Sequence, residues 1–341
     1  MHSRNRIALF VFLLIAVVIL FVVDVAIGSV YIPFLQIIKS IFSNGESAMD
    51  IIVLQSRLPR VITAILVGMS LPVAGLLMQT YFKNPIAGPD ILGITSGASL
   101  AVAIFTMGAG ISVAGILPIG GSVGMIISGI VGSMIVLFIM LAVSKKISDS
   151  VTLLVFGIML GMAISAFVGL LQYFSEKEAL KIFVLWSFGS LSGVTWSQLY
   201  LLAPIVIISV ALAFSTAKKL NMLLPGETYA KSLGLNTGRI RILLIGITGL
   251  LTGAVTAFCG PIAFIGIAIS HVSRMLFKTT NHFILMPACV LCGIISMLLC
   301  DMISQTPGYN LVLPINTVTA LLGAPFVIFI LMQNNKFQRY F

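Results

Sequence analysis

Long apolar stretches alternate with short polar breaks along the whole chain. They lie near 7–30, 58–80, 90–110, 119–143, 151–173, 196–215, 242–258, 260–277, 284–302 and 314–332. A helix needs roughly 20 mainly apolar residues to cross the hydrocarbon core of a bilayer, so this spacing predicts about ten transmembrane helices. The stretches are continuous and do not alternate over about ten residues, which argues against the strands of a membrane β-barrel. One boundary stays open. Ala254 to Ser270 is nearly continuous apolar sequence broken only by Gly260-Pro261, so a nine-span reading competes with the ten-span one there.

Composition leaves no room for a soluble domain. Of 341 residues, 59% are hydrophobic and 8% charged, with a mean hydropathy of +1.18, whereas soluble chains carry about 25% charged residues to cover their surface. The expected fold is therefore all-α, a single polytopic membrane domain over residues 1–341. With ten spans and both termini in the cytoplasm, 14 of the 19 cations fall on cytoplasmic segments, and Lys39, Arg57, Arg60, Lys177 and Lys181 remain outside. That bias satisfies the positive-inside rule. It also explains the net charge of +10 without nucleic acid, because the cations flank spans and form no single patch. Arg4 and Arg6 precede the apolar run Ile7 to Val23, which is longer than a secretory signal core and has no clean small-x-small site after it. It reads as a retained first span.

Catalytic motifs are absent. There is no G-x-x-x-x-G-K-[ST], no H-E-x-x-H and no G-x-S-x-G. Cys289 and Cys292 form a C-x-x-C inside an apolar stretch with no second pair, and they read as small buried hydrophobes; no metal or cofactor is expected. Asp24, Asp90 and Asp301 lie near span ends, whereas an ion-driven carrier places ionisable groups near the midplane. The energy source is expected on another chain, and the protein is not expected to be an enzyme.

Three blocks are specific. The first, Arg57 to Leu100, opens R-L-P-R, runs through Gly68-x-x-Leu71-x-x-x-Gly75-x-x-x-Gln79 and continues N-P-I-A-G-P-D-I-L-G-I-T-S-G-A from Asn84. The second is L-P-G-E-T-Y-A-K-S-L-G-L, within the polar segment 216–241. The third is G-P-I-A-F-I-G-I-A-I-S-H-V-S-R from Gly260, followed by L-P-I-N-T-V-T-A-L-L-G-A-P-F from Leu313. Together they closely resemble the inner-membrane permeases of ABC importers for iron-siderophore complexes, haem and cobalamin, over nearly the whole chain. Four positions depart from that pattern: Ser270 replaces Pro, Val312 replaces Glu, Asn316 replaces Gly, and Gln305 stands where many members carry Arg.

In the second block, Pro225-Gly226 makes a turn, Glu227 suits a helix N-terminus and Gly234 is placed to end the helix. So short a helix is marginal alone in water and needs a partner surface. The resemblance implies that this surface is the ATPase subunit, with Gly226, Glu227, Tyr229, Ala230, Leu233 and Gly234 in or near the contact. It also implies a cytoplasmic gate at the turn between the fourth and fifth spans, at Ser148, Ser150 and Thr152. His271 and Arg274 share one helix face, as interfacial anchors or as a brace for the coupling region.

Arg57 and Arg60 stand on the cation-depleted side and at an expected helix N-terminus, where the macrodipole disfavours each by about 0.3–1 kcal/mol. They call for an anion, either lipid phosphates to which they snorkel or a carboxylate of a partner. By resemblance it comes from glutamates of a substrate-binding protein, with Gln305 in place of a third docking arginine. The reading is thus the permease subunit of an ABC importer in the bacterial inner membrane. Its expected partners are ABC ATPase subunits, an extracytoplasmic binding protein, lipid and a second permease copy, as a homodimer or with a similar chain. An ion-gradient-driven secondary transporter is the alternative, and a membrane-embedded enzyme a more distant one. The motifs are common to siderophore, haem and cobalamin carriers and do not choose among these cargoes.

Overall fold

A computed structural model describes residues 3–28, 37, 39–40, 47–108, 121–147, 149–305 and 312–332. Among these residues the secondary structure is helical throughout. The helices are α1 (Ser3–Ala26), α2 (Ala48–Phe82), α3 (Ile94–Met107), α4 (Gly121–Lys146), α5 (Ser150–Phe174), α6 (Lys177–Ser187) and α7 (Trp196–Ser215). They continue with α8 (Ala217–Leu223), α9 (Glu227–Ser232), α10 (Thr237–Cys259), α11 (Ile265–Phe277), α12 (His282–Ser304) and α13 (Ile315–Met332). Among the described residues, seven helices are long and apolar enough to cross a membrane: α1, α2, α4, α5, α7, α10 and α12. Three shorter apolar helices, α3, α11 and α13, pack with them. The bundle has a lysine-rich end, with Lys83, Lys145, Lys146, Lys218, Lys219, Lys231 and Lys278, and an opposite end where Arg57, Arg60 and Asp301 lie.

The central pillar is α2, buried along most of its length and packed on α12, α10, α11 and α7. It begins well before Arg57, so the two arginines do not open a helix as the sequence suggests. Its start is a capping box in which the Ser47 side chain accepts from Asp50 N and the Asp50 carboxylate accepts from Ser47 N, both at 3.2 Å. Residues Ile52–Arg57 form a π turn, which holds one residue more than an α turn, and the indole of Trp196 donates to the Leu54 carbonyl there at 2.7 Å.

Further along, Pro72 cannot donate to the Gly68 carbonyl, and Gly293 of α12 lies against that oxygen. A Cβ on Gly68 would in turn stand 2.6 Å from Gly293 O, and one on Gly75 would collide with the carbonyl of Gly266 on α11. These glycines let backbone meet backbone, as packing in lipid favours.

The uncertain boundary resolves into two helices. Gly260 and Phe264 take positive φ, +75° and +66°, and end α10 before α11 begins. Asn316, the departure from Gly, holds the break: its Oδ1 accepts from Ala263 N at 3.0 Å and its main-chain N donates to Phe188 O at 3.1 Å. Ser190 N caps the Cys259 carbonyl at 2.7 Å. At 13 residues, α11 extends about 20 Å and does not reach across a 30 Å core.

Candidate functional site

At the lysine-rich end, α8 and α9 form a short paired element. Ala217, Leu220 and Leu223 bury one side of α8, and Ala230 buries α9 against the bundle. Gly226 (φ +128°) turns the chain between them, and its α-carbon faces Lys83 Nζ. Gly234 (φ +81°) closes α9 with a double cap, Gly234 N to Lys231 O at 2.9 Å and Leu235 N to Ala230 O at 3.0 Å. Tyr229 and Leu233 stand 52% and 51% exposed, apolar side chains on an otherwise polar rim. Ala230 is wholly buried, on the inward face of this short helix.

Beside this element is the turn into α5. Ser148 lies outside the described residues. Ser150 is the first residue of α5, and Thr152 is bound by Asp149, whose Oδ2 accepts from Thr152 N at 2.7 Å and from its hydroxyl at 2.6 Å. The hydroxyl and main-chain donors hold the exposed Asp149 carboxyl below its ordinary pKa. Asp149 is not among the residues the sequence motifs single out, although Asp at an N-cap is a readable signal.

Behind the rim, cations are buried. Arg241 donates to the carbonyls of Ser144 (2.9 Å) and Ile147 (2.7 Å), closing the C-terminus of α4. His271 Nε2 donates to the Pro85 carbonyl at 2.7 Å, and Arg274 reaches the Thr80 hydroxyl at 3.4 Å. Both are at most 2% exposed, and their polar atoms meet groups inside the bundle.

The opposite end shows a second cluster. Arg57 donates to Val25 O (2.9 Å) and Ala26 O (2.8 Å), capping the C-terminus of α1. Arg60 forks onto Asp301, with Nε at 2.9 Å from both carboxylate oxygens and Nη2 at 2.7 Å from Oδ1, and also donates to the Ser304 hydroxyl at 3.0 Å. Gln305 Nε2 bridges Asp24 Oδ1 (3.1 Å) and Asp301 Oδ2 (3.3 Å). The anion that Arg60 calls for is therefore present within the chain, and the dipole argument is met by Arg57 sitting on a helix C-terminus. Arg57 and Gln305 are buried; Arg60 lines a cavity of about 260 Å³ with Asp301, Ser304, Ser192 and Val312.

The model of the FecCD transport family matches residues 14–333. This chain belongs to that family. Relatives that share 35% identity over 288 residues, 84% of this chain and 85% of theirs, include the vitamin B12 import system permease protein BtuC of Salmonella schwarzengrund (strain CVM19633) and of Salmonella typhi. Its fold matches a solved ABC transporter of metal-chelate type in an inward-facing conformation, with a TM-score of 0.83 and 29% identity over 96% of this chain and 99% of that one. As a FecCD member it is the permease subunit of a type II ABC importer, a multi-pass inner-membrane transport component and not an enzyme. Permeases of this kind work with ATPase subunits, a substrate-binding protein and a second permease chain.

Three of the four departures from the family pattern have a visible local role. Asn316 pins the α10–α11 break, Gln305 joins two carboxyl groups, and Ser270 replaces a helix-breaking proline. Its hydroxyl bonds the carbonyls of Gly266 (3.0 Å) and Ile267 (2.9 Å). Val312 is exposed beside the cavity.

Proposed function

We propose that this permease imports a metal chelate of the iron-siderophore, haem or cobalamin type, as one of two identical copies whose translocation path follows the two-fold axis between them. The lysine-rich end faces the cytoplasm, in keeping with the positive-inside rule. There α9 enters the ATPase subunit, with Glu227, Tyr229 and Leu233 in contact and Gly226, Ala230 and Gly234 shaping the helix. The turn at Ser148, Ser150 and Thr152 is the gate. At the opposite end the binding protein docks over the cavity lined by Arg60, with Arg57 and Gln305 supporting that surface from behind.

The observation that carries this reading is α9 itself, a helix of six residues that cannot be stable alone yet turns Tyr229 and Leu233 outward at the charged rim. The cargo class rests on the relatives that carry vitamin B12 and on the metal-chelate transporter of the same fold.

The test is reconstitution of the chain with its ATPase and binding protein in vesicles, followed by uptake of labelled cyanocobalamin, a ferric hydroxamate siderophore and haem. ATP-dependent uptake of one of the three is expected. A Tyr229→Asp/Leu233→Asp chain should fold but lose the ATPase on size-exclusion chromatography. Uptake driven by an ion gradient with no ATPase present, or full ATPase retention by the double variant, overturns the proposal.

A further inference from the structure

A chain of polar groups, buried at Arg274, Thr80 and His282 and half-exposed at Asn221, runs from α11 to α8 at the lysine-rich end. Arg274 Nη2 donates to Thr80 Oγ1 on α2 at 3.4 Å, and Thr80 Oγ1 lies 2.9 Å from His282 Nε2 at the start of α12. The other ring nitrogen, His282 Nδ1, is 2.8 Å from Asn221 Oδ1 on α8. Asn221 completes the chain by donating from Nδ2 to Asn281 Oδ1 at 2.9 Å. Thr80, His282 and Arg274 are 4%, 0% and 2% exposed.

The direction of each link follows from what each group can do. The main-chain N–H of His282 donates to Asn221 Oδ1 at 2.9 Å, which fixes that atom as the oxygen, so His282 Nδ1 must carry a proton. A second proton on the ring would place a cation with no solvent contact one hydroxyl away from the Arg274 guanidinium, which burial and like charge both disfavour. The ring is therefore neutral, and Nε2 accepts. The Thr80 proton then turns to Nε2, although the Leu76 carbonyl also lies within reach at 2.8 Å, and the guanidinium, a pure donor, serves the Thr80 oxygen. Every donor points one way, from Arg274 through Thr80 and His282 to Asn221.

We propose that Thr80, His282 and Asn221 are positioning residues that tie the displacement of α8 to the α2–α11–α12 core. This rests on the reading of α8–α9 as the element that meets the ATPase. Helix α8 has seven residues and joins the first turn of α12 through Asn221. It cannot shift without carrying that turn along or breaking the pair. Helix α12 in turn meets α2 backbone to backbone at Gly68 and Gly293, so a shift of its first turn is delivered to the centre of the bundle. A pulling force at the rim thus has a defined mechanical route inward. The hydroxyl of Thr80 is the link with a choice of acceptor, His282 Nε2 or Leu76 O, and so can let go without being left unbonded.

Two measurements test this. In the complex with ATPase and binding protein, Thr80→Val should keep ATP hydrolysis near the wild-type rate while transport per ATP falls about fivefold or more, the lower range of a site-to-site coupling. Thr80→Ser, which restores the hydroxyl, should recover it. An unchanged transport-to-hydrolysis ratio in Thr80→Val, or no recovery in Thr80→Ser, overturns the relay.

The second measurement needs no transport and so separates the relay from the proposed function. In the purified full chain, Thr80→Val should raise hydrogen exchange across α8, two links away from the substitution. Exchange in α8 that matches wild type overturns the relay even if the complex imports its cargo. Raised exchange supports it even if the ATPase proves to dock elsewhere.

Discussion

At the opposite end of the bundle Arg60 is clamped by a carboxylate, Asp301, whereas at the lysine-rich end Arg274 reaches a hydroxyl that belongs to a chain of neutral groups. At both ends another arginine closes the C-terminus of a neighbouring helix, Arg57 on α1 and Arg241 on α4. The common device therefore concerns helix ends. The difference concerns mobility: a forked ion pair breaks only by leaving a charge without its partner, while a link between neutral groups is worth about 0.5–1.5 kcal/mol and can re-form with an adjacent acceptor. One end is fastened and the other is articulated.

The largest expected effect breaks the fastened end. Asp301→Asn leaves Arg60, 11% exposed at its side chain, without a carboxylate and should cost about 3–5 kcal/mol, read as a lowered thermal transition of the detergent-purified chain. Adding Arg60→Gln should recover most of the loss. If the double variant falls as far as the sum of the two single ones, the ion pair is not what holds this end.

Next come the two caps. Arg57→Gln and Arg241→Gln should each lose about 1–2 kcal/mol, through charge-assisted bonds to carbonyls and the helix dipole. Equal losses in chemical denaturation would support one device at both ends, and a clear inequality would divide them.

A smaller change is expected at Asp24. Its Oδ2 accepts no hydrogen bond among the described residues, and Gln305 holds it close to Asp301, where like charge opposes a second ionised carboxylate. Asp24→Asn should therefore shift stability by less than about 1 kcal/mol, a small fraction of the Asp301→Asn effect. A loss comparable to that of Asp301→Asn would make Asp24 an equal member of the clamp.

The smallest effect belongs to the articulated end. The Asp149 carboxyl is held below its usual 3.8 in the folded chain, so the α5 cap is fully present above that value and is lost as pH falls through the lower folded value. Exchange at the Thr152 amide should rise in that acid window in wild type and be high at neutral pH in Asp149→Ala. Identical exchange in the two chains at neutral pH would show that the cap does not hold this turn.

How much of this was readable from residues alone depends on range. The spans were legible because hydrophobic length is a summed property: α7 spans 196–215, as the pattern predicts. Helix α6 was not. Its 11 residues include Lys177, Glu178 and Lys181, and a window of span length averages them into a polar break. The backward extension of α2 was hidden by Asp50 and Arg57 in the same way. At the site, the Gly226 turn and Gly234 stop were legible, since turn chemistry is local. The Arg60–Asp301 clamp joins residues 241 positions apart, and nothing local marks such a pair. Two opposite charges at span ends on the same side of the bundle were the available signal.

The π turn at Ile52–Arg57 sets the phase of everything before it. Each residue turns a helix by about 100°, so the extra residue offsets Ala48–Ile51 by that angle from the face Leu58–Phe82 presents to the core. A related chain can lose a single residue inside this turn and keep its buried face in register, but the same deletion elsewhere between Leu58 and Phe82 would rotate half the pillar out of place. A one-residue gap in α2 should therefore fall at Ile52–Arg57.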